Sequence, residues 1–213
     1  MKVLVSMVAF ALLLSTSANA SVIAADAVSF LTPGSVSNTY GTVGWEFTPK
    51  VDTWADKLGF YDNEHDGLLQ DHEVRLYAVV GQTLIRSATV TNADDYGIQS
   101  LIHPTDGYVF KWHAIDPVFL TAGTSYLLAT SMLGGFTDSY ASNPTDYVEH
   151  WANLIGGRYD PDAVSYPTRI GGTMEFFGPN IGSTAIPEPS TYVLLTVALG
   201  AVGFVRRMSK KGE

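Results

Sequence analysis

The densest run of ionisable side chains in the sequence is Asp62-Asn63-Glu64-His65-Asp66-Gly67-Leu68-Leu69-Gln70-Asp71-His72-Glu73. Acids at its first, third, fifth and twelfth positions and glycine at its sixth nearly reproduce an EF-hand loop, whose oxygen ligands surround a hard cation; the third position carries Glu where Asp or Asn is usual. Asp62, Glu64, Asp66 and Glu73 are the candidate ligands, and calcium is the cofactor such a loop would take. Both flanks alternate as strands, so no helix enters or leaves the run. The plainer alternative is a polar β-hairpin loop that turns at Asp66-Gly67. His72 precedes Val74 and Leu76 by two and four residues and shares their face in a continued strand, which favours a hydrogen-bonded structural histidine over a base. No two histidines stand four apart, so zinc lacks a ligand set.

A second kind of chemistry resides in aromatic side chains. Phe136, Tyr140, Tyr147, Trp151, Tyr159 and Tyr166 concentrate between residues 134 and 172. Exposed rings on a β-sheet surface stack on sugar faces, and Asp138, Asn143 and Asp160 supply groups to hydrogen-bond hydroxyls. Tyr140, Trp151, Tyr159 and Tyr166 are therefore candidate ligand contacts. The helical spacing of Tyr147 and Trp151 favours the alternative, in which the rings seal a helix onto a sheet. The sequence contains no G-x-S-x-G elbow, P-loop or G-x-G-x-x-G, and no catalytic residue is assigned. Acid pairs such as Asp94-Asp95 exist, but sequence does not place two carboxylates at a catalytic separation.

The elements that must position these groups show period two. Leu58 and Phe60 alternate with Gly59 and Tyr61; Val74, Leu76 and Ala78 with Glu73, Arg75 and Tyr77; Tyr108, Phe110, Trp112 and Ala114 with Val109, Lys111 and His113. Such alternation, bounded by Gly, Asp, Asn and Pro clusters, predicts half-buried antiparallel strands, with further strands over 44–48, 84–91, 125–131 and 173–177. The expected fold is all-β, an antiparallel β-sandwich of Ig-like or jelly-roll type. One short helix is expected inside the long insertion 134–172. Asn143-Pro144-Thr145-Asp146 supplies an N-cap, a proline at the first helical position and an acid in the first turn. Tyr147, Val148, Trp151, Leu154 and Ile155 follow at helical spacing, and Gly156 closes the helix.

The two ends read as targeting segments. Met1-Lys2, an apolar run from Val3 to Leu14 and Ala18-Asn19-Ala20 are the three parts of a secretory signal peptide, predicting residues 1–20 as the signal and cleavage between Ala20 and Ser21. A second apolar run, Tyr192 to Val205, spans about 21 Å as a helix, short of the roughly 30 Å hydrocarbon core. It follows Pro187-Glu188-Pro189-Ser190 and precedes the basic tail 206–211, which by the positive-inside rule stays cytoplasmic and leaves the preceding domain facing outward.

From Ile186 to Lys211 the sequence resembles the PEP-CTERM sorting signal: a Pro-Glu-Pro motif (Pro187, Glu188, Pro189), a short apolar helix and a basic tail, here with two lysines beside two arginines. The resemblance implies an exosortase as partner, transient residence in the inner membrane of a Gram-negative cell that makes exopolysaccharide, and a final place in the envelope or extracellular matrix. A plain single-pass anchor is the alternative. The stretches Gly44-Trp45-Glu46-Phe47-Thr48, Leu58 to Asp62, Asp66-Gly67-Leu68, His72-Glu73-Val74 and Leu84 to Val90 also resemble a domain of uncharacterised function common in PEP-CTERM proteins.

Composition bounds the rest. The 213 residues include no cysteine, which excludes disulfides, a thiolate nucleophile and a lipidated N-terminal cysteine. Residues 21–185 suffice for one domain with a self-supporting core. Between Ser21 and Pro187 stand 19 acidic and 7 basic residues. So acidic a surface repels phosphate backbones, and nucleic acid is not an expected partner. The expected function is a non-enzymatic binding or structural module of the envelope, associated with exopolysaccharide or another envelope component. The alternatives are a polysaccharide hydrolase on the same scaffold and a purely structural matrix protein.

Overall fold

Strands with one apolar side must bury that side against a second layer, and the alternating segments of this sequence do so. In the computed structural model the described residues are 26–30, 34–37, 41–96, 109–132, 138–144, 147–161, 166–171 and 176–183. Both targeting segments lie outside them, with Ala20, Ser21, Pro187, Glu188, Pro189 and the apolar run 192–205. Among the described residues, no helix is long and apolar enough to cross a membrane.

The strands, in chain order, are β1 (Val28–Ser29), β2 (Ser35–Ser37), β3 (Thr42–Pro49), β4 (Thr53–Asp62), β5 (His72–Ala78), β6 (Thr83–Val90), β7 (Val109–Leu120), β8 (Tyr126–Ser131), β9 (Tyr140–Ser142), β10 (Val148–Glu149), β11 (Ala152–Asp160), β12 (Arg169–Ile170), β13 (Phe176–Phe177) and β14 (Pro179–Gly182). A six-stranded sheet has the order β12-β11-β3-β8-β5-β6 and a three-stranded sheet the order β14-β4-β7. Among the described residues there are also two small sheets, β13-β9-β2 and β1-β10. The ladders between the described strands are antiparallel, as the alternation predicts, beside one isolated parallel bridge between Gly34 and Ser142.

The core forms between the two larger sheets. Trp45, Phe47, Leu76 and Leu128 of the six-stranded sheet and Leu58, Phe60, Leu120 and Ile181 of the three-stranded sheet are fully buried in one cluster. Each side chain of this size contributes roughly 1.5–3 kcal/mol by leaving water. The indole Nε1 of Trp45 donates across the layers to the Pro179 carbonyl at 2.7 Å, so the last strand is tied to the opposite sheet. The outer face of the six-stranded sheet carries a smaller apolar cluster of Tyr77, Leu127 and Ala129, against which Tyr166 packs.

Two expectations are corrected. The helix expected after Pro144 is absent from residues 147–161, which form β10 and β11 instead. β11 pairs with β3, and its register passes from Leu154↔Phe47 to Gly156↔Glu46, leaving Ile155 as the extra residue of a bulge. A bulge shifts the period-two phase by one residue. The spacing of Trp151, Leu154 and Ile155 then imitates a helix while the backbone is extended. The second correction concerns residues 58–62, where both faces of β4 are buried rather than one. Phe30 packs at a tilt against Tyr61, with ring centroids 5.4 Å apart, and covers the face expected to meet solvent.

Candidate functional site

The acidic run 62–73 is not a hairpin loop. β4 belongs to the three-stranded sheet and β5 to the six-stranded one, so residues 63–71 carry the chain from one layer to the other. A 3-10 turn over Asn63–His65 begins the crossing, and His65 and Gly67 both have positive φ, 58° and 98°. The positive φ at 67 favours glycine, and a Cβ there, 2.6 Å from Asn92 Oδ1, would push the Asn92 amide aside.

Four consecutive amides of this crossing donate to side chains from three parts of the fold. Gly67 N donates to Asp62 Oδ2 at 3.0 Å and Leu68 N to Asn92 Oδ1 at 3.2 Å. Leu69 N and Gln70 N both donate to Asp138 Oδ2, each at 3.0 Å. The same Asp138 oxygen lies 2.9 Å from His72 Nε2, and the buried imidazole is stacked flat on Phe60 at 3.6 Å. Burial alone raises the Asp138 pKa, but the hydrogen bonds from His72 and the two amides outweigh it and hold the carboxyl below its ordinary range. His72 faces the same way as Val74 and Leu76, as its spacing predicts, and serves as a bracket inside the sandwich. Its Nδ1 and the Thr130 hydroxyl are buried without a partner among the described residues.

Beside the crossing, the Tyr96 hydroxyl donates to Asp62 Oδ2 at 2.6 Å. Burial first, then the Asp62 hydrogen bond and the charges of Asp62 and Asp66, push the Tyr96 pKa up to about 12. The buried Lys111 ammonium donates to the carbonyls of Asn92 and Asp94 at 3.0 and 2.9 Å and sits 4.0 Å above the Tyr96 ring. Asp94 in turn lies 3.0 Å from His113 Nδ1 and accepts from Thr91 N at 2.7 Å. The site therefore assembles from residues far apart in sequence, and apart from His72 Nδ1 and the Thr130 hydroxyl its buried polar groups are paired within the fold.

Of the candidate cation ligands, Asp62 is buried and occupied by two donors, while Asp66 is exposed. Glu73 is ion-paired with Arg75. The Glu64 side chain lies outside the description. Among the described residues, no three His, Asp or Glu side chains are placed together to hold a metal ion.

The candidate ligand aromatics are divided between core and seams. Tyr140 and Trp151 are each 3 % exposed and belong to the core. Tyr159 packs against Phe176, with the Arg169 guanidinium over its ring, and Tyr166 packs edge-on against Tyr77. The rings presented to solvent are others. Trp54 and Phe119, directly opposite each other on β4 and β7, are 48 % and 47 % exposed with centroids 5.2 Å apart. Their signal in the sequence is the phase of Thr53-Trp54-Ala55 and Val118-Phe119-Leu120, which buries the flanking residues and turns the ring outward.

A buried acid was also missed. Asp26 bridges to Gly182 and is nearly inaccessible; burial, partly offset by the nearby Lys57, pushes its pKa up to about 7. No periodic pattern surrounds Asp26 in the sequence to mark it as buried.

Residues 185–211 match the PEP-CTERM protein-sorting motif. The chain thus carries the signal of an exported protein sorted by an exosortase, beginning two residues after the last described residue, Ser183. No curated protein matches the sequence.

Proposed function

We propose that the β-sandwich is the cargo of this sorting signal, a non-enzymatic binding or structural module that associates with exopolysaccharide in the envelope or extracellular matrix. In this reading the apolar run 192–205 holds the protein in the inner membrane with the sandwich outward until exosortase releases it. The observation that carries the reading is the sorting motif at 185–211, directly after the final strand of the sandwich. The ionisable pairs His72–Asp138, His113–Asp94 and Arg158–Glu46 link strands and loops of the fold to one another.

Co-sedimentation of the released protein with isolated exopolysaccharide of the producing cell tests the proposal, with reducing ends assayed in the supernatant. Retention without new reducing ends is expected. Release of sugar would select the hydrolase, and absence of retention would select a structural filler. A chain in which Pro187 and Glu188 are both replaced by alanine is expected to stay in the inner membrane at its unprocessed size. Normal processing of that chain would favour a plain anchor.

A further inference from the structure

The two termini of the described domain leave from the same end of the sandwich. Asp26 bridges to Gly182, and Ala27 N donates to the Ile181 carbonyl at 2.9 Å, so the residues leading into β1 run beside β14. The last described residue, Ser183, donates its hydroxyl to the Trp54 carbonyl at 2.6 Å. Trp54 and Phe119 project at that end, and Val51, in the turn between β3 and β4, is 42 % exposed there. Three large apolar side chains thus stand in water at the point where the chain departs toward its apolar run. Eight residues, 184–191, separate Ser183 from Tyr192. Fully extended, they reach about 30 Å, so an inserted run holds this end of the domain close to the bilayer.

We propose that Val51, Trp54 and Phe119 form a bilayer-contact face, which seats the sandwich on the lipid headgroup–acyl boundary while the apolar run remains inserted. Tryptophan suits that boundary because its ring is amphipathic, and the exposed Lys50 and Asp52 that flank Val51 would have to remain at the headgroup level. Seating would offset the shortness of the apolar run, whose 14 residues are fewer than the roughly 20 that cross a hydrocarbon core. The inference rests on the anchored, outward-facing state proposed above.

The intrinsic tryptophans provide the test. Trp45, Trp112 and Trp151 are buried, so Trp54 is the one of the four tryptophans open to a quencher. The full chain is reconstituted in phosphatidylcholine vesicles and isolated by flotation. Fluorescence is then quenched by acrylamide from water and by lipid brominated near the acyl carbonyl. The expected result is quenching by the brominated lipid that is lost in Trp54→Phe, and weak acrylamide quenching of the wild type that strengthens in Phe119→Ala. If the protein floats with the vesicles but Trp54 is quenched by acrylamide and not by lipid, the contact face is overturned and the anchor stands. If the protein does not float, both fail. If a soluble polysaccharide shields Trp54 from acrylamide while brominated lipid leaves it bright, the face belongs to sugar stacking and the bilayer proposal is overturned.

Discussion

The two ends of the β4–β7 ladder meet opposite fates. At one end, where Asp62 stands opposite Val109, polar side chains are drawn inward and closed on partners: Asp62 on Gly67 and Tyr96, Lys111 on two carbonyls, Asp138 on His72 and two amides. At the other end, where Thr53 stands opposite Leu120, Trp54 and Phe119 remain in water. A buried polar group left without a partner costs more than a bond gains, so a network that closes on itself is read as architecture. Exposed aromatic area at a chain exit has no such internal account, and it points to a partner.

The sharpest way to break the contrast is to open the closed end. Asp138→Ala strips the buried His72 ring and the amides of Leu69 and Gln70 of their acceptor at once. Removing one member of a buried pair costs about 3–5 kcal/mol. For a domain of this size the melting temperature should fall by about 10 °C. Asp138→Asn, which keeps one acceptor oxygen, should fall less. Because the Asp138 pKa is depressed, its contribution is present above the ordinary carboxyl range and is lost as the pH falls below it. A melting curve of Asp138→Ala matching the wild type would mean that the crossing is held elsewhere.

The exit end contains one titrating acid with the opposite sign. Asp26 takes up its proton more readily folded than unfolded, its pKa being raised to about 7. Its contribution is therefore complete at pH below about 4 and is lost as the pH rises through 7, where burial of the ionised form costs on the order of 4 kcal/mol. Asp26→Asn should melt higher than the wild type at pH 8.5 and close to it at pH 4.5, as read by scanning calorimetry at the two pH values. Equal differences at both would show that Asp26 ionises without penalty.

The contrast between the ends was only partly legible in the sequence. β5 follows from period-two alternation, as a strand buried on one face must, whereas β3 and β8 are buried on both faces and β6 is largely exposed. The acidic run was visible as a polar segment, but Asp138 and Asn92 lie 66 and 20 residues from His72, and no local pattern announces that they cap its amides. The failure at β11 has a different cause. Ile155 is the extra residue of a bulge, so the apolar phase jumps and mimics a helical period. Trp54 stayed unremarked because β4 is itself bulged between Ala55 and Lys57, which breaks alternation beside it.

A milder perturbation of the exit end sharpens the comparison from the other side. Trp54→Ala and Phe119→Ala each remove half-exposed rings whose cross-strand pairing contributes less than about 1 kcal/mol. Denaturant unfolding should place both variants within this distance of the wild type, in contrast to Asp138→Ala. A loss of several kcal/mol from either would make the pair a part of the fold, and the exit end would no longer differ in kind from the loop end.

The smallest effect is expected for calcium. In the folded chain Asp62 Oδ2 already accepts from Gly67 N and from the Tyr96 hydroxyl, and Glu73 is engaged by Arg75. With its pKa near 12, Tyr96 keeps its proton at neutral pH, so its oxygen faces Asp62 as a donor and a cation at Asp62 must displace it. An ion that binds only the folded state stabilises by an amount set by its excess over the dissociation constant, and a competed site leaves that constant high, so millimolar calcium should move the melting temperature by no more than about 1 °C. Magnesium should do no more, since it demands a tight octahedron and gives up water reluctantly. Tyr96→Phe removes the competing donor while keeping the ring under Lys111, and it is the variant in which a calcium-dependent rise would first emerge. A rise of several degrees in the wild type would show that the Asp62–Tyr96 bond yields to the ion. The loop end would then be a binding surface as open as the exit end.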